Sequence, residues 1–396
     1  MSVWRKSVPP VLLLSALSLL AGCAALRPQE ADGPVPAATT STSTTDSSAA
    51  QPAPVASLNV RALTSVLPEL LSARAVVVGE EHDRLDHHVL QLDVLRYLQS
   101  VNPRIAIGLE FFDVSVQDAL DDYVAGRIDE QTMLRETGYF DRWRFDYRLY
   151  APILRFARQK NVPLIALNVP REVSRSIARG GLESLSEAER AYVPDELDRT
   201  VPGYEERIRS SFAQHGETPL SNVEHFIEAQ LVWDEAMADT AARYLEANPA
   251  DQMVVLAGVG HVMYGSGIPT RLERRIGPPV LTVVPVSEAG QSSDDMADYL
   301  VRSEPLSLPD KGTLGIMLSG EGDDGLRIDQ VLDDSAAGRA GLLKGDLLRA
   351  VDGQPVSDFA ALAALMWDKR PGDKVVLRVE RPGTGETQTL DVPVTL

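Results

Sequence analysis

Short, uninterrupted apolar runs recur through the middle of the chain and alternate with longer segments of mixed polarity. The runs lie at residues 75–78, 105–107, 163–167, 253–256 and 280–284. Each run is continuous rather than alternating between apolar and polar positions, which is typical of strands covered on both faces. The pattern therefore predicts five strands of a largely parallel β-sheet.

The segments between these runs have helical periodicity. One helical stripe comprises Leu85, Val89, Leu92 and Leu95. A second stripe falls within residues 153–157, and residues 171–246 have the pattern of a helical insertion. Alternation of strands and helices predicts an α/β fold, a sheet flanked by helices, over residues 57–290.

A different pattern occupies residues 312–396, where apolar and polar residues alternate as in short strands exposed on one face. Glycine-containing turns follow at Ala340-Gly341-Leu342, Gly345-Asp346-Leu347-Leu348 and Val351-Asp352-Gly353. A helix is predicted over residues 359–367, and a closing hairpin is predicted around residues 382–385. These features indicate a second, small and mainly β domain.

The first 23 residues form a separate unit. Arg5 and Lys6 precede an apolar stretch over residues 11–20, which is too short for a comfortable membrane helix. The Leu-Ala-Gly-Cys sequence that ends at Cys23 resembles the lipobox of bacterial lipoproteins, which implies cleavage and lipidation, for example by palmitate, at that cysteine. An ordinary signal peptide is the alternative. In a Gram-negative cell, Ala24 would favour the outer membrane, with the protein facing the periplasm or the cell surface.

Two further segments have the composition of linkers. Residues 24–56 are rich in Pro, Ala, Ser and Thr, and cannot bury enough apolar surface to offset the entropy of ordering. We interpret this segment as a disordered tether. Residues 291–311 contain Ser, Asp and Pro, and are interpreted as the linker between the two domains.

Composition removes several classes of function. The formal net charge of −19 opposes binding to nucleic acid and to anionic lipid surfaces. Apolar residues make up 44% of the chain and charged residues 24%, as in soluble globular proteins rather than multi-span membrane proteins. Cys23 is the only cysteine, which excludes an intrachain disulfide and a four-cysteine zinc site.

Polar side chains follow three of the predicted strands. Glu80, Glu81 and His82 follow the first, Glu110 follows the second and His261 follows the fourth. Ligands in open α/β sheets bind at the carboxyl ends of strands, so we expect these residues to share a cleft. Histidine and carboxylate ligands suit zinc, iron or manganese. Alternatively, each residue is a hydrogen-bonding or capping group; His87 and His88, on the next helix, are expected to pack against the sheet.

Several motifs in residues 60–285 resemble, in order, those of the ChaN-like haem-binding lipoprotein family. They are Gly79-Glu80-Glu81-His82, His87-His88, Gly108-Leu109-Glu110, Leu120-Asp121-Asp122-Tyr123, Trp143 with Asp146-Tyr147-Arg148-Leu149-Tyr150, Leu167-Asn168-Val169-Pro170-Arg171, and Gly258-Val259-Gly260-His261 through Tyr264. The two Gly-x-x-His motifs are also similar to those of TIKI/TraB-like and erythromycin-esterase-like proteins, some of which are hydrolases.

The ChaN-like resemblance implies haem binding, with a tyrosinate as the iron ligand and a dimer that can enclose stacked haems. The matching tyrosine is Tyr264, and phenolate is a hard anionic donor suited to ferric iron. A metal or a neighbouring cation must favour loss of its proton, and His261 is close in sequence. The family's second histidine comes from the partner subunit, for which His215 and His225 are candidates.

Other residues would complete the haem site. His82, Glu110 and His261 are expected in the same cleft as Tyr264. Arg148 lies in an aromatic segment and could receive a haem propionate or pair with Glu110. The alternative for this segment is a core helix whose edges form salt bridges.

The carboxyl-terminal domain resembles a bacterial PDZ domain in the order of its elements. PDZ domains bind an extended peptide at a sheet edge and often capture its terminal carboxylate with backbone amides. Leu314, Gly315 and Ile316 match the carboxylate-binding loop, which implies an envelope protein or peptide as partner. Alternatively, the groove is closed and the domain serves only for packing.

Three functions compete on these observations. The preferred one is an envelope lipoprotein that binds haem, with the PDZ domain docking a partner. The second is a metal-dependent envelope hydrolase, a peptidase or esterase, that uses His82, Glu110 and His261, with Glu80 or Glu81 as general base. The third is a PDZ scaffold whose cleft is inactive. Neither Gly-x-Ser-x-Gly nor His-Glu-x-x-His occurs, so no serine-hydrolase or zincin motif supports the second.

Overall fold

The structure, a computed structural model, describes residues 59–214, 222–287, 293–320, 325–383 and 386–396. The predicted signal peptide, Cys23 and the tether lie outside the described residues, as does the candidate His215. No helix within the described ranges combines the length and the apolar character needed to cross a membrane.

A seven-stranded sheet forms the centre of the larger domain. Its strands are β1 (Val60–Arg61), β2 (Ala75–Glu80), β3 (Ile105–Asp113), β4 (Leu164–Asn168), β5 (Gln252–Gly258), β6 (Val280–Val286) and β7 (Tyr299–Arg302). Their spatial order is β1-β7-β6-β2-β5-β3-β4, and every neighbouring pair is parallel. The prediction of a largely parallel α/β sheet is confirmed.

Helices cover both faces of this sheet. They are α1 (Leu63–Leu70), α2 (Leu85–Val101), α3 (Gln117–Val124), α4 (Glu130–Glu136), α5 (Tyr139–Arg142), α6 (Tyr147–Lys160), α7 (Arg171–Gly180), α8 (Glu187–Arg190), α9 (Tyr204–Gln214), α10 (Val223–Ala247) and α11 (Ile268–Ile276). Along β2, Val76 and Val78 enter one hydrophobic core while Ala75 and Val77 enter another. Burial on both faces explains why this strand is apolar at consecutive positions.

The buried face of α2 differs from the predicted stripe. Leu92 and Leu95 are buried, but Val89 is 39% exposed. His87 and His88 are buried instead, where they hydrogen-bond to residues that follow or end β2. Compared with the predicted orientation, the helix is therefore rotated so that these two histidines face the sheet. A hydrophobic pattern cannot predict such polar contacts.

Part of the predicted interdomain linker belongs to the sheet. Residues 299–302 form β7, which pairs with β6 on one side and with the two-residue β1 on the other. Leu300 and Val301 are buried. The strand β7 was not predicted because the sequence around it is polar. The strand β1 was not predicted because it has only two residues.

The carboxyl-terminal domain is an antiparallel sheet with two short helices. Its elements are β8 (Ile316–Ser319), β9 (Leu326–Val331), α12 (Ala336–Arg339), β10 (Leu347–Val351), β11 (Gln354–Pro355), α13 (Phe359–Met366), β12 (Lys374–Arg381) and β13 (Gln388–Thr395). The main path is β13-β12-β10-β9-β8, so β8 lies at an edge. A separate core that includes Leu326, Ile328 and Leu377 stabilises this domain.

The two domains pack against each other through α13 and the residue that follows it. Helix α13 contacts α4 and α5 of the larger domain. The Trp367 ring packs edge-on against Tyr147, with ring centroids 4.8 Å apart, and the Arg155 guanidinium lies 5.3 Å from the Trp367 ring centre. Trp367 is only 8% exposed, so it joins the core of the larger domain.

Candidate functional site

The three central strands of the main sheet carry the predicted site residues to one edge. Strand β5 lies between β2 and β3 and runs parallel to both. Glu80 ends β2, Glu110 lies in β3, and His261 closes the turn after β5. His82 joins them from the loop after β2, and Asp234 joins them from α10. We call these five residues the strand-end cluster.

One half of the cluster is built around Glu80. Its Oε1 is 2.8 Å from His82 Nδ1 and accepts a hydrogen bond from the Tyr150 hydroxyl at 2.9 Å. Its Oε2 accepts from Gln91 Nε2 at 2.8 Å and lies 3.2 Å from His88 Nδ1. Burial alone would raise the pKa of Glu80, but the charges and hydrogen bonds of the two histidines hold this pKa well below its ordinary value.

The other half is built around His261. Its Nδ1 lies 2.7 Å from Asp234 Oδ1, and its Nε2 lies 3.4 Å from Glu110 Oε1. The second Glu110 oxygen accepts a hydrogen bond from the Gly258 amide at 2.5 Å. Burial opposes the charged imidazole, but the two carboxylates outweigh it and raise the pKa of His261 well above its ordinary value. This half therefore holds an imidazolium between two carboxylates.

His82 occupies the boundary between the cluster and solvent, with 16% of its side chain exposed. Its ring contacts Trp143 and Phe145, with centroids 4.7 and 4.9 Å away. Burial lowers the pKa of His82, whereas the hydrogen bond to Glu80 and the charge of Glu110 raise it, and the net shift is upward. Of the cluster's histidines, His82 is the more accessible and the better placed to exchange a proton with a ligand.

Gly258 allows the strand ends to approach this closely. A Cβ atom at this position would lie 2.8 Å from His82 Cε1 and 3.5 Å from a Glu110 oxygen. Any side chain there would displace the His82 ring. The glycine in the Gly-x-x-His motif is thus explained by close approach rather than by an unusual backbone angle.

Asp234 was not predicted from the sequence. It lies in the middle of a 25-residue helix, next to Glu235, and both carboxylates are almost fully buried. Tyr204 donates a hydrogen bond to Asp234 at 2.6 Å, and Arg271, Arg274 and Arg275 pair with Glu235. The available signal was an acidic pair within the apolar run from Leu231 to Met237.

A metal site at His82, Glu110 and His261 stays a prediction that this structure does not show. Within the described ranges, no group of three or more His, Cys, Asp or Glu side chains is arranged to hold a metal ion. The Nδ1 atoms of both rings are engaged by carboxylates. An imidazole must be neutral to donate to a metal, and the raised pKa of His261 favours its charged form.

A cavity of about 360 Å³ lies beside the cluster. Glu110 lines one end of it, and its other walls come from the end of β3, the segment around Trp143, and α7. Several aromatic residues and four arginines border it. The sequence analysis expected a cleft at this edge of the sheet.

Tyr264 is not among the residues that line this cavity, and its sharing of one cleft with His82 and Glu110 stays a prediction. It borders a second cavity, of about 380 Å³, together with Pro269, Thr270 and Asp298. Its φ angle is 58°, in the left-handed region, and 46% of the residue is exposed. This backbone angle turns the chain outward three residues after the buried His261.

Specific contacts hold the Tyr264 turn in place. Its amide donates to the Met296 carbonyl at 2.7 Å, and the Ser293 hydroxyl is 3.4 Å from the phenol oxygen. The Arg207 guanidinium lies 6.0 Å from the centre of the Tyr264 ring and is also close to Tyr204. A partly buried cation therefore neighbours an exposed phenol.

Three other predicted residues lie away from the cluster contacts. Arg148 pairs with Asp146 and donates to the Pro309 carbonyl at 2.8 Å, so it does not pair with Glu110. The alternative of a core helix with ion-paired edges describes this segment. Glu81 is partly exposed, and burial raises the pKa of its carboxyl. His225 lies near the start of α10, beside Gly181.

The predicted peptide-binding loop of the second domain precedes the edge strand β8. Gly315 has a φ of 69°, and a Cβ atom there would lie 2.4 Å from the Ser335 side chain, so glycine is required. Leu314 is only 6% exposed and belongs to the domain's core, whereas Ile316 packs at its margin. Strand β8 pairs with β9 on one side only within the described residues.

Comparison with protein families assigns both regions. Residues 66–272, more than half of the chain, match the family described as haem-binding uptake, Tiki superfamily, ChaN. Residues 312–394 match the PDZ domain family.

Individual relatives match parts of the chain. Protein RETICULATA-RELATED 5, chloroplastic, of Arabidopsis thaliana is 29% identical over 53% of this chain and 31% of its own length. The periplasmic serine endoprotease DegP of Salmonella typhimurium is 33% identical over 21% of this chain and 20% of its own length. The chain thus spans less than a third of each of these curated relatives.

One solved structure covers most of the larger domain. A structure described as cofacial haem binding to ChaN of Campylobacter jejuni aligns with 61% of this chain and 91% of its own, with a TM-score of 0.50 and 18% identity. At this identity, the likeness concerns the fold. With the family match over residues 66–272, it leads to one conclusion: the chain belongs to the ChaN family of haem-binding uptake proteins in the Tiki superfamily, and it also carries a PDZ domain.

Proposed function

We propose that this protein binds haem at the surface of its larger domain, with the Tyr264 phenolate as the iron ligand. The observation that carries the proposal is that Tyr264 is 46% exposed on a turn that follows the second Gly-x-x-His motif. The family match and the Campylobacter jejuni structure, which is described as cofacial haem binding, support haem as the ligand. The cavity at Tyr264, not the cavity at Glu110, is the site we assign to haem.

The donor set at Tyr264 suits ferric haem. A phenolate is a hard anionic donor, and a bound haem would supply a ferric iron that accepts it. The Arg207 guanidinium lies 6.0 Å from the centre of the Tyr264 ring and places a positive charge beside this site. An exposed ligand leaves one face of a flat porphyrin open, and a second subunit would cover that face.

The test is a titration of the purified chain with ferric haem, followed by its Soret band. The wild type should bind with defined stoichiometry, and Tyr264→Phe should weaken binding at least tenfold. Tyr192→Phe is the matched control, because Tyr192 is 41% exposed on a different surface. Equal binding by the wild type and by Tyr264→Phe would reject Tyr264 as the ligand. Sedimentation with and without haem would test the dimer.

We further propose that the protein is a lipoprotein of the bacterial envelope, in the outer membrane of a Gram-negative cell. Its support is the lipobox-like sequence that ends at Cys23, followed by the Pro-, Ser- and Thr-rich segment. Growth with a labelled palmitate analogue should label the wild type but not Cys23→Ser. Label retained on the serine variant would contradict this assignment.

The PDZ domain is proposed to bind the carboxyl terminus of an envelope protein. Strand β8 offers an open edge, and the loop at Leu314, Gly315 and Ile316 precedes it. Peptides from a library of free carboxyl termini should lose affinity when their ends are amidated. Insensitivity to amidation would instead favour a groove that is closed or used only for packing.

Hydrolysis at the cavity is a second candidate function. The observation that favours it is the convergence of Glu80, His82, Glu110 and His261 beside an open cavity. His82 would exchange protons with the substrate, oriented by Glu80. A screen of ester and peptide substrates should then show turnover that Glu110→Gln removes, and an inert wild type would exclude this function for the substrates tested.

A further inference from the structure

The cavity beside Glu110 has features that haem binding at Tyr264 does not use. Its volume of about 360 Å³ lies within the range typical of small-molecule sites. It has an opening to solvent, and Tyr264 is not among its lining residues. Any function it has is therefore separable from the exposed tyrosine.

The walls of this cavity are largely aromatic. Phe111, Tyr139, Trp143, Phe145 and Trp233 line it. The Phe111 and Trp143 rings are tilted with centroids 5.8 Å apart, and Trp143 and Phe145 are 5.4 Å apart. Such a surface favours a flat apolar body, which gains both from burial and from ring contacts.

The polar part of the lining carries an excess of positive charge. Its two carboxylates are already satisfied, because Glu110 is paired with His261 and Asp113 is paired with Arg142. Arg171 and Arg175 also line the cavity, and within the described part of the chain neither forms an ion pair. In a chain with a net charge of −19, two unpaired arginines at one cavity are conspicuous.

These arginines also crowd one another. Burial lowers the pKa of Arg171, and the positive charge of Arg175 lowers it further. Arg144, the fourth arginine of the lining, adds to this repulsion and has a φ of 70°, in the left-handed region. An arrangement of like charges and strained backbone is costly unless something else compensates it.

One donor in this group has no partner. The Nε atom of Arg175 is buried and makes no hydrogen bond within the described residues. A buried donor without a partner destabilises the protein, and a charged one does so more. An anion in the cavity that pairs with the two guanidinium groups would offset both this cost and the repulsion between Arg171 and Arg175.

We propose that this cavity binds an organic anion with an aromatic body, whose carboxylate or phosphate pairs with Arg171 and Arg175 while its rings lie against Trp143 and Phe111. The planar guanidinium groups recognise the oxyanion. Each can donate two parallel hydrogen bonds to two of its oxygens, and this geometry makes the recognition specific. Glu110 also lines the cavity, but its carboxylate is already paired with His261.

The full-length chain, purified without haem, can be titrated calorimetrically with three naphthalene probes. They are 2-naphthoate, 2-naphthyl phosphate and uncharged 2-naphthamide. At least one of the two anions should bind at one site per chain, with at least tenfold higher affinity than the amide. The anion with the higher affinity identifies carboxylate or phosphate as the preferred group. Equal binding of all three probes, or no binding, would overturn the proposal.

Variants locate the site. Arg175→Gln and Arg171→Gln should each weaken anion binding at least tenfold and leave naphthamide binding unchanged. Arg179→Gln is the matched control, because Arg179 lies on the same helix but is exposed and outside the cavity lining. Wild-type anion affinity in both cavity variants would reject the assignment. Two variants are used so that the test remains valid if one of them does not fold.

The same experiment separates this inference from haem binding. Tyr264→Phe should keep full affinity for the naphthalene anion, and Arg175→Gln should keep full affinity for haem. Loss of anion binding in Tyr264→Phe would show that the two sites are one and would overturn the proposal. A wild type that binds the anion but not haem would reject the haem proposal alone.

Discussion

The strand-end cluster and the Tyr264 turn are neighbours in the chain but have opposite character. The cluster is almost fully buried, and each of its charges has a partner. Tyr264 follows His261 by three residues, yet it is 46% exposed. The difference shows that a motif can place one side chain in a closed ionic network and another, three residues later, in solvent, through a turn with two left-handed residues, Tyr264 and Gly265.

This contrast separates two kinds of candidate site residue. His261, which contacts a carboxylate through each ring nitrogen, stabilises the strand ends and has little free capacity for a cofactor. An exposed phenol with a cation beside it has that capacity. We therefore expect substitutions in the cluster to reduce folding stability and substitutions at Tyr264 to reduce binding.

The largest effect on stability is expected from Asp234→Asn. The change leaves the His261 imidazolium buried with only Glu110 as counter-charge. Breaking a buried pair in this way costs about 3–5 kcal/mol. Urea unfolding at pH 7 measures the change, and Glu224→Gln on the exposed face of the same helix should have little effect. Wild-type stability in Asp234→Asn would mean that the buried network is dispensable.

A smaller loss is expected from Gly258→Ala. The added methyl group would lie 2.8 Å from the His82 ring, so the ring or the strand end must move. Overpacking of this kind costs about 1–3 kcal/mol. Gly203→Ala controls for the loss of glycine itself, because a Cβ atom there meets nothing within 4 Å, although its φ of 72° adds some strain. Gly258→Ala should lower the free energy of unfolding more than Gly203→Ala does. The reverse order would show that the His82 ring can move at little cost.

The pH dependence of stability should report on His87. Burial lowers the pKa of His87 to about 4, and its Nδ1 accepts a hydrogen bond from the Glu81 amide. The unfolded chain binds this proton near pH 6.5, so stability is lost as the pH falls from above 6.5 toward 4. By pH 5 the stability lost through protonation of His87 in the unfolded chain amounts to about 2 kcal/mol. Unfolding curves at pH 7 and pH 5 should differ less for His87→Gln than for the wild type.

The smallest effect on stability is expected from Tyr264→Phe. Among the described residues, the phenol oxygen makes only a long contact with Ser293, so its removal should change the unfolding free energy by less than about 0.5 kcal/mol. Haem affinity should nevertheless fall at least tenfold. If this variant were instead as unstable as Asp234→Asn, the distinction between the two regions would not hold.

Much of the sheet could be predicted from sequence because burial on both faces leaves a continuous apolar run. This signal found β2, β3, β4, β5 and β6. It failed for β1, the edge strand, and for β7 beside it, because these strands have only two and four residues. The PDZ domain was predicted from its turns, since glycines at fixed places report backbone angles directly.

The site was predictable only in part. That Glu80, His82, Glu110 and His261 meet follows from parallel strands ending at one edge. That Asp234 completes the pairing could not be read from strand ends, because it comes from a helix that packs over them. The outward direction of Tyr264 depends on one backbone angle, and no hydrophobic pattern encodes it.

The two domains, the parallel sheet and the family motifs can be recognised in the sequence, because periodicity and glycine placement act over a few residues. Which ionisable groups are paired and which are free depends on the folded chain. The Glu110 carboxylate meets an amide 148 residues away, and Arg175 meets no partner within the described residues. Charge pairing depends on distances through space, and a group's chemistry follows from its neighbours rather than from its place in the chain.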